Sequence, residues 1–191
     1  MKLARVNTFL LIAIVVVDFY IVLTPLLPAA WFWMQRHHSS KFGQLSAQVH
    51  APTPPATPQQ NWLIVPSMLL SQPINEGPDL RALRNGPWRL PYTSTPDKGG
   101  NTVVVGHRFT YTDPRGAFYQ LDKVKIGDEI GVYWHAKRYR YTVVKTEVVP
   151  PTRVSVEAPT TQAQLTLYTC TPLWLPKDRL VVTARLEADH E

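Results

Sequence analysis

One cysteine, one histidine and one arginine carry most of the chemistry this sequence can offer. Cys170 is the only cysteine in the chain, which removes intrachain disulfides and excludes zinc ribbons and iron–sulfur clusters, since those need several thiolates. A single thiol is either buried filler or a nucleophile. As a nucleophile it needs a deprotonated sulfur, a group to protonate a departing amine, and a cationic or N–H-rich partner for an oxyanion. Imidazole is the side chain suited to giving and taking a proton near neutrality. His37 and His38 lie beside an apolar N-terminal run, His50 beside a proline-rich stretch, His135 at a hairpin turn and His190 in the tail. That leaves His107, which closes the apolar strand Asn101 to Val105 after Gly106, a residue that lets the backbone bend or be approached closely.

Strand parity supplies the cation. In Leu165-Thr-Leu-Tyr-Thr-Cys170, alternation sets Leu165, Leu167 and Thr169 on one face and Thr166, Tyr168 and Cys170 on the other. In the next strand the core face is Leu180, Val182, Ala184 and Leu186, which sends Arg179 to the opposite side. If the two strands pair antiparallel across the loop from Thr171 to Asp178, Cys170 ends one and Arg179 begins the other, on the same non-core face. Trp174 lies in that loop.

The elements that hold these residues are short β-rich runs broken by Gly, Pro, Asn and Asp: Trp62 to Val65, Asn101 to Val105, Glu129 to Trp134, Arg138 to Val149, Gln164 to Cys170 and Leu180 to Leu186. Asp79 to Asn85 and Ala117 to Leu121 read as helical turns, too little for alternating βαβ units. A mainly β domain over residues 61–191, a barrel or a sandwich, follows. Ahead of it, Val6 to Met34 contains Asp18 as its only charge, and Phe9 to Leu27 is about long enough to cross a hydrocarbon core. Residues 1–35 therefore read as a membrane anchor, with a cleaved signal peptide ending near Ala30 as the alternative. Trp31, Phe32 and Trp33 suit an interfacial belt, and Lys2 and Arg5 favour a cytoplasmic N-terminus and an extracytoplasmic head. Residues 36–60 form a linker whose proline-rich stretch, 51–58, predicts an extended polyproline-II stalk. Of the net charge of +6, half sits near the N-terminus; from residue 61 onward 16 Lys and Arg face 13 Asp and Glu, too even a balance for nucleic acid.

Thr102-Val-Val-Val-Gly-His107, Thr166-Leu-Tyr-Thr-Cys170 and Arg179 resemble the Thr-x-x-x-Gly-His, Thr-Leu-x-Thr-Cys and downstream Arg signatures of sortases. Leu63-Ile-Val-Pro66 with Pro73-Ile-Asn-Glu-Gly77, Gly86-Pro-Trp-Arg-Leu-Pro91 and the run from Phe118 to Asp128 extend the resemblance over residues 61–187. It implies an eight-stranded sortase-type β-barrel and a membrane-anchored cysteine transpeptidase that cuts a Leu-Pro-x-Thr-Gly-like signal through a thioester. By the same resemblance Cys170 is the nucleophile, His107 the acid and then the base, and Arg179 the stabiliser of substrate and oxyanion. Thr169 would line the substrate pocket, and Trp174 is a further substrate-binding candidate from its place in the loop.

The implied partners are surface proteins with C-terminal sorting signals and an amine acceptor, either a peptidoglycan precursor or a pilin lysine, met at the plasma membrane. The residues after Cys170-Thr-Pro depart from the Tyr-Gly pattern of pilin-polymerising sortases, no Asp-Pro-aromatic lid motif precedes the barrel, and no hydrophobic segment follows it. These departures favour a single-anchor attachment enzyme. No cofactor is expected; Ca²⁺ is possible but not indicated, since Glu76, Asp79 and Asp113 are scattered and make no calcium loop. Two other wall-directed cysteine chemistries fit less well. Papain-like enzymes place cysteine before histidine, and L,D-transpeptidases carry Ser-x-Gly-Cys where this chain has Tyr-Thr-Cys.

Overall fold

The computed structural model describes residues 2–38, 40–51, 60–109, 116–173 and 175–188, with only the backbone described for 2–5 and 36–38. Eight strands form one curled sheet: β1 (Trp62–Val65), β2 (Leu70–Pro73), β3 (Trp88–Arg89), β4 (Asn101–Val105), β5 (Glu129–Trp134), β6 (Lys137–Val149), β7 (Gln164–Thr171) and β8 (Asp178–Leu186). Their order across the sheet is β2-β1-β5-β6-β8-β7-β4-β3. All neighbours are antiparallel except β4 and β7. The sheet curls until Asn75, just beyond β2, bridges Trp88 of β3, which brings its two ends together. This is the eight-stranded, mainly β fold expected from the sequence.

Alternation decides what fills it. Leu165 and Leu167 of β7 and Val182 and Ala184 of β8 are fully buried, and they join Leu63, Val104, Ile130 and Phe118 in the main core. The opposite face of β4 is covered too: Val103 and Val105 pack with Trp88 and Leu90, and Tyr168, Ala82 and Leu83 lie against them. With apolar cover on both sides, β4 is buried at all five positions. Asn101 opens this strand and is 2% exposed. Its Nδ2 donates to the carbonyls of Val156 and Ala158, both at 3.0 Å, so the long β6–β7 connection is held against the start of β4.

The N-terminal region contains α1 (Lys2–Leu23), α2 (Leu27–His38) and α3 (Lys41–His50). Val6–Leu23 has a mean hydropathy of 2.5 and none of it is buried against the rest of the chain, which fits a single-pass membrane anchor. The apolar run does not continue as one helix, because Pro25 disfavours helical backbone at Thr24 and the chain turns over Thr24–Leu26 before α2 begins. Thr24, Pro25 and Pro28 are buried, and the Tyr119 hydroxyl donates to the Pro25 carbonyl, so the turn rests on the head.

The segment expected to be a linker is only partly one. Leu45 and Val49, one helical turn apart on α3, are buried against Ile64, Leu69 and Tyr133. The Tyr133 hydroxyl donates to the carbonyls of Gln48 and Ala51. Residues 41–50 are thus part of the folded head, because the outer face of β1 and β5 is apolar and needs covering. Of the proline-rich stretch expected to be a stalk, 51–58, all but Ala51 lies outside the described residues.

Candidate active site

The site is built where β7 meets both of its neighbours. Cys170 pairs directly with Arg179 across β7 and β8, and Thr171 pairs with Asp178 beyond them. Cross-strand partners share a face, so the thiol and guanidinium meet as parity requires: Arg179 Nη1 lies 3.3 Å from Cys170 Sγ. A second bond runs from the same Nη1 to the Asp178 carbonyl at 3.4 Å. Both residues are half-buried, open enough for a substrate to reach them.

On the other side of β7 the ladder to β4 ends at Val105 and Tyr168, and the same register carried two residues further sets His107 level with Cys170. The backbone supports that continuation: Gly106 N donates to the Tyr168 carbonyl at 3.3 Å. Gly106 is required here, since a Cβ would stand 2.6 Å from the Phe118 ring. The turn is also held from behind, with Phe118 N donating to the His107 carbonyl at 2.9 Å. Gly116 closes the same contact, because a Cβ there would come within 2.4 Å of the His107 carbonyl.

The other histidines with described side chains are elsewhere. His50 pairs with Glu129 at 3.0 Å beside α3, and His135 occupies the β5–β6 turn at φ 49°. Thr169 is 2% exposed and its hydroxyl donates to the Gly106 carbonyl at 2.7 Å, tying the Cys170 strand to the His107 turn. Trp174 lies outside the described residues. Among the described residues, no group of three or more His, Cys, Asp and Glu side chains is arranged to hold a metal ion.

Two features of the site are invisible in the sequence reading. Tyr168, on the Cys170 face of β7, donates to Glu157 at 2.7 Å, and Tyr92 donates to the other oxygen of the same carboxylate at 2.6 Å. Burial first, and then the Glu157 carboxylate, push the Tyr168 phenol well above its ordinary range. The same two causes push Tyr92 up to about 12. Both phenols are therefore neutral donors at physiological pH, and Tyr168 with Glu157, Arg179 and Val149 borders a cavity of about 100 Å³. The second feature is Arg108, directly after His107, whose side chain is 16% exposed and reaches back to Thr171 and Asp122. Neither carried a signal in the sequence, since polar residues near a functional one are usually solvated.

A model of the sortase domain matches residues 63–187, two thirds of the chain and every strand but the first residue of β1. The chain belongs to the sortase family. Sortase SrtE1 of Streptomyces coelicolor is 33% identical over 49% of this chain, and sortase A of Listeria monocytogenes is 35% identical over 46% of it. This chain spans 29% and 39% of those two relatives' own length. Among solved structures, a lid mutant of sortase A from Corynebacterium diphtheriae superposes with a TM-score of 0.61 at 28% identity, covering 68% of this chain and 70% of that one. Sortases are cysteine transpeptidases, and Cys170, Arg179 and His107, which the strand register brings to the β4–β7–β8 end, are of the types such chemistry needs.

Proposed function

We propose that this sortase is a single-pass membrane enzyme that cleaves a Leu-Pro-x-Thr-Gly-like sorting signal and transfers the cut protein to an amine on the cell wall or on another protein. The observation that carries this reading is the Cys170–Arg179 cross-strand pair, with the guanidinium 3.3 Å from the sulfur at the strand end next to His107. Cys170 Sγ attacks the threonine carbonyl carbon, and negative charge collects on the carbonyl oxygen. Arg179, whose donors are fixed in a planar fork, faces that charge. His107 gives a proton to the departing glycine nitrogen, leaving a thioester on Cys170. An incoming amine then attacks the thioester carbon, loses its proton to His107 and expels the cysteine sulfur, which restores the enzyme. No cofactor takes part in either half.

Under this reading α1 crosses the plasma membrane with Lys2 and Arg5 on the cytoplasmic side, and the head works outside. Confinement to one surface raises the effective concentration of an anchored substrate and a lipid-linked acceptor. The test is to incubate the full chain in detergent micelles with a set of sorting-signal peptides and a short glycine or lysine peptide as acceptor. The expected product, read by mass spectrometry, joins the substrate's threonine to the acceptor amine and is absent with Cys170→Ala. Peptides left whole by folded protein, or cut equally by Cys170→Ala, would refute the reading.

A further inference from the structure

The two strands that carry Cys170 and His107 are parallel neighbours, yet their hydrogen-bonded ladder stops at Val105 and Tyr168, short of both residues. Beyond that point regular pairing no longer fixes their separation, and side-chain bonds take over. Thr169, one residue before the cysteine, donates from Oγ1 to the carbonyl of Gly106, one residue before the histidine, at 2.7 Å. Arg108, one residue after the histidine, donates from Nη1 to Oγ1 of Thr171, one residue after the cysteine, at 2.6 Å. The pair is bracketed on both sides by ties between the same two strand ends.

The outer tie is the more demanding, because it depends on a long side chain. Asp122 braces it, accepting from Arg108 Nη2 at 3.1 Å, so the guanidinium is gripped by one bond toward β7 and one toward the 3-10 turn Leu121–Lys123. Lysine would not hold both partners in the same fixed geometry, since it offers a point charge on a flexible stem, whereas here Nη1 and Nη2 of a planar fork each take one partner. The Arg108 side chain is 16% exposed, so it is withdrawn from bulk solvent. Holding a catalytic pair within a fraction of an ångström is the usual work of such supporting bonds.

We infer that Arg108 is a positioning residue, which through its bonds to Thr171 and Asp122 sets the distance between His107 and Cys170. The inference rests on the roles proposed above for those two residues, and it does not make Arg108 a group that touches substrate. A misplacement of about 1 Å can cost about 10²-fold in rate. Arg108→Met and Thr171→Val should therefore each lower kcat by between about tenfold and a hundredfold with KM little changed. The double variant should lose no more than the worse single, since both changes remove the same bond.

The experiment measures kcat and KM for peptide transfer by the full chain in micelles, together with the rate at which iodoacetamide alkylates Cys170 at neutral pH and the melting temperature. Alkylation needs no substrate, so it reads the inference even if the sorting-signal assignment fails. Withdrawal of the imidazole from the thiol should slow it by about threefold or more in each single variant. A merely structural role would instead loosen the site, expose the thiol and speed alkylation. Thr171→Val, almost the same shape as threonine, keeps the test open if Arg108→Met folds poorly. Slower alkylation with non-additive loss of kcat supports the inference. Unchanged or faster alkylation, additive losses, or an effect confined to KM would overturn it.

Discussion

Gly131, in the middle of β5, offers a test of whether α3 is a built-in part of the head. Its backbone is ordinary strand, so glycine is not there for its conformational freedom. Replacing a strand glycine by alanine would by itself gain about 0.5–1 kcal/mol. A Cβ at 131, however, would stand 3.3 Å from both Cα and Cγ2 of Val49 on α3. Val49 is fully buried, and the helix backbone behind it cannot yield like the end of a flexible side chain. Overpacking of this kind costs about 1–3 kcal/mol, so Gly131→Ala should destabilise the protein by up to roughly 2.5 kcal/mol. Val49→Ala removes two buried methyl groups, at about 0.8 kcal/mol each before any cavity cost. It also removes the Cγ2 half of the crowding, so adding Gly131→Ala to Val49→Ala should be close to neutral.

The assay for this cycle is urea unfolding of the full chain in micelles, followed by tryptophan fluorescence. A coupling of about 0.5 kcal/mol or more between the two sites is expected. If Gly131→Ala were stabilising on its own, or the two changes simply added, α3 would not be packed on β5 and residues 41–50 would be linker after all.

Arg179→Lys keeps the charge but loses the fork facing the thiol, and turnover of a sorting peptide should fall by about 10²-fold; near-normal kcat would mean that charge alone suffices. Thr169→Val leaves the Gly106 carbonyl without its 2.7 Å donor and should cost about 1–3 kcal/mol in urea unfolding, whereas an unchanged midpoint would show the tie to be idle. Tyr92, held protonated to about 12 by burial and Glu157 when its ordinary value is 10.0, loses its proton earlier in the unfolded chain than in the folded one. Its stabilisation is full below pH 10.0 and is lost as pH rises through about 12. Absorbance titration near 295 nm should show Tyr92 and Tyr168 missing from the step near pH 10.0 in the folded protein, and their appearance in that step would contradict the network.

Much of the site was legible because strand parity is a strict rule. Alternation along Leu165 to Cys170 and Arg179 to Leu186 was enough to put sulfur and guanidinium on one face, and the pairing of Cys170 with Arg179 agrees. The strands Trp62–Val65, Asn101–Val105 and Glu129–Trp134 begin and end where their apolar runs do. Strand β3 escaped notice because two residues are too few to display a period, and β2, Leu70–Pro73, because it holds a single large apolar residue and ends in proline. Helix α3 escaped for a different reason. Its sequence holds Gly43 and a single buried pair, Leu45 and Val49, so what stabilises it is the apolar face of β1 and β5 rather than propensity. Arg108 could not be read at all, since its partner Thr171 is 63 residues away and nothing local distinguishes it from a solvated arginine.

The measurement closest to the central claim is intact-protein mass spectrometry after brief mixing of the full chain with a sorting-signal peptide in the absence of acceptor amine. A mass increase equal to the peptide acyl portion ending in threonine is expected, located on the fragment containing Cys170, released by added amine and absent from Cys170→Ala. Cleavage of the peptide with no adduct on Cys170, or an adduct on any other residue, would contradict it.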